Sequence, residues 1–200
     1  MEPGIKKIVV GALETNCYIF ADLDSKEAAL IDPGSDGEGI KSAIKELGVK
    51  VKCIINTHGH GDHISANGEF DAPIYIHKLD AGFLNNFGLN LSAAFGLRVK
   101  SPPAARLLED ADDIEIGRFK LKVIHTPGHT PGGISLLCGN VVFTGDTLFM
   151  EGVGRTDLPH GSYAQLMDSI ENKLFTLDGK TIVHPGHGPS TTIGREKGGV

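Results

Sequence analysis

Four times along this chain an apolar run gives way to a glycine-containing turn that carries a histidine or an aspartate. Cys53-Ile54-Ile55 leads to His58-Gly59-His60-Gly61-Asp62-His63, and the stretch Leu121 to Ile124 leads to Thr126-Pro127-Gly128-His129. Val141-Val142-Phe143 ends at Thr144-Gly145-Asp146, and Thr181-Ile182-Val183 ends at His184-Pro185-Gly186-His187-Gly188. A fold that uses these turns together has to bring them to one edge. Ligand sites in α/β folds lie at the carboxyl ends of strands, so the recurrence predicts an α/β sandwich with its site there.

The densest turn defines the chemistry. Nine histidines spread evenly over 200 residues would place fewer than one in a six-residue window, whereas His58 to His63 holds three, with a carboxylate. Such nitrogen and oxygen donors suit zinc or a neighbouring first-row metal. Ile64 stands four residues after His60, so the helical i, i+4 ligand spacing is absent. His58 and His60 are instead two apart, which puts both rings on one side of an extended chain, and the intervening glycines leave the backbone free to turn. With His129, Asp146 and His187 the candidate ligands number seven, namely His58, His60, Asp62, His63, His129, Asp146 and His187. That is more than one tetrahedral site uses, and it predicts two metals.

At 200 residues the chain suffices for one well-buried domain, and ligands running from His58 to His187 place all of them in it. Twenty-five acidic against 19 basic residues give a formal charge of −6, which argues against a nucleic-acid partner. No apolar stretch approaches the roughly 20 residues that span a bilayer, and Met1-Glu2-Pro3-Gly4 is not the start of a signal peptide. Cys17, Cys53 and Cys138 are odd in number and lie in apolar runs, as reduced core residues of a cytoplasmic protein do.

Alternation and turns predict strands at 5–10, 15–22, 27–32, 51–56, 73–77, 118–125, 133–138, 140–145 and 181–184. Ile40, Ala43, Ile44 and Leu47 set a helix over 37–47; another begins near His63, and Ser162 caps a third that buries Leu166, Ile170, Leu174 and Phe175. Two mixed sheets packed face to face with helices outside accommodate this pattern. Segment 79–104 scatters Leu84, Phe87, Leu89, Leu91, Phe95 and Leu97 without period. A core helix with a loop is the expectation there, with a substrate lid or a dimer contact as the alternatives.

These motifs, in this order, resemble the metallo-β-lactamase fold superfamily, from Asn16-Cys17-Tyr18 and Ile31-Asp32-Pro33-Gly34 through to Pro185-Gly186-His187-Gly188. The resemblance implies a four-layer αββα sandwich of two mixed β-sheets in one domain over 1–200. Phe143-Thr144-Gly145-Asp146-Thr147-Leu148-Phe149 with Gly154-Arg155-Thr156-Asp157 is similar to the short bacterial glyoxalase II-like proteins (hydroxyacylglutathione hydrolases). Matching positions imply that His58, His60 and His129 hold one metal, that Asp62, His63 and His187 hold the other, and that Asp146 bridges them. Zinc is the first expectation, with iron or manganese as alternatives. Asp32 either bonds a ligand histidine or caps its own turn. His125 and His184 are expected behind the ligands, and His77 and His160 as ordinary core or surface residues.

The activity implied is hydrolysis of a thioester such as S-lactoylglutathione by a hydroxide shared between two metals, with Asp62 and Asp146 as the catalytic carboxylates. Arg155 matches the basic substrate-binding position of glyoxalase II, while Asp157 replaces its tyrosine and the sequence ends thirteen residues after His187 without that family's C-terminal helical domain. Arg155 and Asp157 are therefore either substrate contacts or a buried ion pair. The expected partner is a small-molecule thioester, with neither nucleic acid nor membrane, and the chain is expected as a monomer or homodimer. The rival activity is a mononuclear iron persulfide dioxygenase built on His58, His129 and Asp146; a lactonase, β-lactamase or phosphodiesterase stands behind it.

Overall fold

The computed structural model describes residues 2–198. Met1 of the N-terminal stretch, and residues 199 and 200 of the expected domain, lie outside the described residues. Strand β1 (Gly4–Val10) pairs antiparallel with β2 (Thr15–Asp22), and β2 with β3 (Glu27–Ile31). β2 is buried along its whole length. Tyr18 and Phe20 enter one apolar cluster while Cys17, Ile19 and Ala21 enter another, so both faces of the strand are covered.

Asp36 caps the helix α1 (Gly37–Leu47) by accepting the Gly39 N–H, and Gly48 in the left-handed region ends it. The chain then runs through β4 (Lys50–Ile55), the single turn α2 (Gly61–Ile64), β5 (Ile74–His77) and β6 (Arg106–Leu108). Strands β3 to β6 are mutually parallel, which completes a six-stranded mixed sheet in sequence order. The second half supplies β7 (Asp113–Ile116), β8 (Phe119–His125), β9 (Ile134–Cys138), β10 (Val141–Gly145), the small ribbon β11 (Leu148–Phe149) and β12 (Gly152–Val153), then α3 (Tyr163–Asn172), β13 (Ile182–Pro185), β14 (Thr191–Thr192) and α4 (Ile193–Glu196). Its sheet has the order β14-β13-β10-β9-β8-β7, with β10 and β13 parallel.

Three clusters define the layers. Tyr18, Phe20, Ile31 and Ile55 meet Ile116, Leu121, Leu136 and Phe143 between the sheets. Ile19, Leu30, Ile54 and Ile76 pack outward on Ile40 and Ala43 of α1. Val142 and Val183 pack outward on Leu166 and Ile170 of α3. The result is the expected four-layer αββα sandwich. No helix among the described residues is long and apolar enough to cross a membrane.

The two sheets are fastened near both ends of β2. Buried Asp22 at its end accepts the Arg118 N–H at 3.0 Å and the guanidinium Nη2 at 2.8 Å, from the β7–β8 turn. At its start the Asn16 N–H donates to Gly186 O at 2.7 Å, and the Tyr18 hydroxyl donates to Pro185 O at 2.7 Å.

The structure corrects the predicted helices in two places. The helix begun near His63 is one turn, α2, followed by a 3-10 turn at Asn67–Glu69. Segment 79–104 contains no α-helix: 3-10 turns at Ala81–Asn85 and Ser92–Phe95 leave Phe83 and Leu84 buried and Phe95 and Leu97 exposed. Buried Asn90 organises this loop through Phe83 O and Val99 O, and its own carbonyl accepts the Gly61 N–H at 2.8 Å.

Candidate metal centre

All seven sequence candidates arrive at one edge of the sandwich, at the strand ends. His58 and His60 occupy the β4–α2 connection, Asp62 and His63 the turn α2 itself, His129 the turn after β8, Asp146 the residue after β10, and His187 the turn after β13. His60 is extended at φ −69° and ψ 149°, and its ring centroid lies 4.8 Å from that of His58, as the i, i+2 spacing predicts. His58, His60 and His129 offer ligand atoms within 4.8 Å of one another, and so do Asp62, His63 and His187. Asp146 stands between the two groups. Its Oδ1 is 3.5 Å from His63 Nε2, and its Oδ2 is 3.6 Å from His129 Nε2 and 3.5 Å from His187 Nε2.

Neighbouring acceptors assign the ring tautomers. His129 Nδ1 donates to Arg155 O at 2.8 Å, and His187 Nδ1 to Leu13 O at 2.9 Å. His63 Nδ1 donates to Asp32 Oδ2 at 3.1 Å. The Thr57 hydroxyl gives its proton to Asp32 at 2.6 Å and so accepts from His58 Nδ1 at 3.1 Å. The Nε2 lone pairs of His58, His63, His129 and His187 are thereby freed, and those of His63 and His187 face each other at 3.2 Å. His60 Nδ1 faces His129 Nε2 at 2.9 Å. His58 Nε2, His60 Nε2 and Asp146 Oδ1 are buried without a hydrogen-bond partner, which an apolar interior does not tolerate without a ligand. The donor set therefore fits divalent cations.

The electrostatics separate the two groups. Burial, then the neighbouring rings, push His58 well below the usual imidazole range and His60 down to about 3. Burial opposes charge on His63 too, but Asp62, Asp146 and Asp32 outweigh it and hold its pKa up at about 10. Burial likewise opposes ionisation of Asp62, and His63 and His187 overcome it, holding that carboxyl well below its ordinary value. One group offers neutral nitrogens; in the other, the carboxylates stabilise positive charge.

Asp32 bonds the ring of the candidate ligand His63. It sits at φ +50°, a region disfavoured for side chains other than Asn and Asp, and its Oδ1 accepts the Thr57 N–H at 2.7 Å. His125 and His184 do not back the ligands as expected. His125 stacks on buried His77 at 4.1 Å and donates to Pro131 O, whereas His184 stacks on Phe143 at 5.2 Å and bonds Ser190. His160 is exposed. Arg155 and Asp157 form a two-bond pair at 2.9 Å, but with side chains 68% and 69% exposed it is no buried bridge. Burial raises all three cysteine thiols, so none is poised as a thiolate. Sequence reasoning did not find Thr15, whose hydroxyl donates to Asp62 Oδ2 at 3.0 Å, nor Thr57 or Asp80.

Comparison with known proteins places this geometry among relatives. The sequence profile described as "Metallo-beta-lactamase superfamily" matches residues 10–187. The "Probable metallo-hydrolase YqgX" of Bacillus subtilis is 38% identical over 94% of this chain and 92% of its own. The "Hydroxyacylglutathione hydrolase GloC" of Haemophilus influenzae is 37% identical over 96% of this chain and 94% of its own. Among solved structures, the B3 metallo-beta-lactamase BLEG-1 superposes with a TM-score of 0.93 at 39% identity, covering 98% of this chain and 97% of that one. TTHA1623 in a di-iron-bound form superposes with a TM-score of 0.86 at 35% identity, covering 97% of this chain and 98% of that one.

Proposed function

The chain belongs to the metallo-beta-lactamase superfamily, and from that premise we propose that it is a binuclear hydrolase of a small-molecule thioester. In this reading His58, His60 and His129 hold one cation, Asp62, His63 and His187 hold the other, and Asp146 is shared. The observation that carries it is Asp146, whose two oxygens face both histidine groups. Two divalent cations held there would lower the pKa of a shared water toward neutrality and polarise a carbonyl oxygen. Zinc suits the donors, and the di-iron form of TTHA1623 supports iron as an alternative, beside manganese.

The chain's own residues then have definite tasks. Thr15 fixes Asp62 by one oxygen. Ionised by its histidine neighbours, Asp62 would accept a hydrogen bond from the attacking water and so orient it. The carbonyl of Arg155 holds the His129 ring, which sets the Arg155–Asp157 pair beside the site as the proposed substrate contact. The thioester assignment is supported by the similarity to a hydroxyacylglutathione hydrolase.

The test pairs metal content per chain with two assays on one sample: hydrolysis of S-lactoylglutathione, and oxygen uptake with glutathione persulfide. Two metals per chain with thioester cleavage is the expected result. One iron per chain with oxygen uptake and no cleavage would overturn the proposal in favour of a persulfide dioxygenase.

A further inference from the structure

A buried carboxylate outside the seven-residue cluster joins two of its loops. Asp80 follows β5 by three residues and is fully buried. Its Oδ2 accepts the N–H of Gly59, the residue between His58 and His60, at 3.0 Å. Its Oδ1 accepts the N–H of Gly132, three residues beyond His129, at 2.6 Å. The two loops come from different sheets, β4 in one and β8 in the other. Both glycines are there for close approach: a Cβ on Gly59 would lie 2.3 Å from Phe83 Cβ, and one on Gly132 would lie 2.6 Å from Asp80 Oδ1. Burial pushes the Asp80 carboxyl up, countered by the neighbouring Thr130 hydroxyl first and then by the Gly132 and Gly59 N–H donors. A carboxylate satisfies two facing donors with two oxygens, which an amide cannot do.

We infer that Asp80 is the positioning residue for the His58, His60 and His129 group, setting the distance between the loop of the first two and the loop of the third. Asp32 bonds His63 directly and reaches His58 through the Thr57 hydroxyl, so it touches both groups. Asp80 differs from it in that its two oxygens tie the loop of His58 and His60 to the loop of His129, across the two sheets. The inference rests on the proposed two-cation centre, and zinc binding rather than turnover is the quantity that reads it.

Zinc titration by calorimetry in two backgrounds separates the possibilities. His187→Ala leaves the His58, His60 and His129 group as the zinc site, and His60→Ala leaves the Asp62, His63 and His187 group. In the first background Asp80→Asn weakens zinc binding about 10- to 100-fold, the range for partners that orient ligands. In the second it leaves zinc binding within about twofold, since Asp62 and His63 stand in the turn α2, beyond the Gly59 bond, and neither Asp80 oxygen accepts from the His187 loop. Gly132→Ala, which crowds Asp80 from the other side, gives the same selective loss and serves if Asp80→Asn fails to fold. Equal weakening in both backgrounds, or none in the first, overturns the inference. Absence of zinc from the His187→Ala chain overturns it together with the division into two groups. A parent chain that binds one zinc overturns the two-cation reading alone, because the His187→Ala background still reports on Asp80.

Discussion

His187→Ala tests the proposed centre where its two functions, holding the fold and holding a cation, come apart. The side chain is 27% exposed, and its one bond to the backbone is Nδ1 to Leu13 O at 2.9 Å. Losing a bond of that kind costs about 1 kcal/mol, a small part of the roughly 5–15 kcal/mol that holds a domain together. For a chain of this size the metal-free melting temperature should fall by only about 2–4 °C. The site loses far more. His187 Nε2 is 3.2 Å from His63 Nε2, 3.3 Å from Asp62 Oδ2 and 3.5 Å from Asp146 Oδ2, so the substitution removes one of the three proposed ligands that Asp146 does not share with the other group. Outer partners of ligands are worth about 10- to 100-fold in affinity, and a direct ligand should exceed that range. Metal content should drop from two per chain toward one. The kcat/KM for S-lactoylglutathione should fall by at least about 100-fold, or about 2.7 kcal/mol of barrier. The measurements are elemental analysis, initial rates and a melt of the chelated protein. Two metals per chain with undiminished turnover would refute the ligand assignment. One metal with undiminished turnover would refute the need for a second cation.

Three further outcomes are expected. Phe143→Ala empties a position 1% exposed, between Tyr18 at 5.1 Å and Phe20 at 6.1 Å, and should cost about 3–5 kcal/mol in urea unfolding; a loss under about 1 kcal/mol would mean the inter-sheet core is not packed as described. His77 is held down at about 4, by burial first and then by His125, against an ordinary 6.5. The unfolded chain therefore takes this proton first, so stability is whole above pH 6.5 and is lost as pH falls toward 4, by at most about 3 kcal/mol. His77→Gln should flatten that slope in denaturant midpoints between pH 7 and 5, and an unchanged slope would exclude His77 as its source. Arg155→Ala, at an exposed position, should leave the melting temperature alone and raise KM for S-lactoylglutathione about tenfold with kcat retained. Unchanged KM would remove Arg155 from the substrate contacts.

The side chains that could bind a metal were legible in the sequence because few residue types serve, and strand-then-turn placement delivers them to one edge. What holds them was mostly not. His129 and His187 are aimed by the carbonyls of Arg155 and Leu13, and every residue has a carbonyl. Asp80 stands in an unremarkable Lys78-Leu79-Asp80 stretch; only the fold places it against Gly59 and Gly132. Asp32 was visible because Asp32-Pro33-Gly34 forces a turn after a strand. His125 and His184 precede proline turns yet point into other contacts, since a neighbour in sequence on a strand end faces the opposite side. The long alternating strands were recognisable, whereas β6, β7 and β14 are two to four residues long and carry too little pattern to register. Segment 79–104 is organised by Asn90 bonding backbone carbonyls, a pattern with no hydrophobic period to detect.

The fastenings near the two ends of β2, Asp22 with Arg118 and Tyr18 and Asn16 with the Pro185-Gly186 turn, consist of protein alone. These bonds would still tie the loop of His187 to the first sheet in a chelated protein, so stripping the proposed cations should leave the fold intact. Mixed nitrogen and oxygen donors suit several first-row ions, so metal supply should decide the occupant. Protein made in zinc-, iron- or manganese-enriched medium should carry different metals on one unchanged scaffold, with identical melting curves once each sample is stripped.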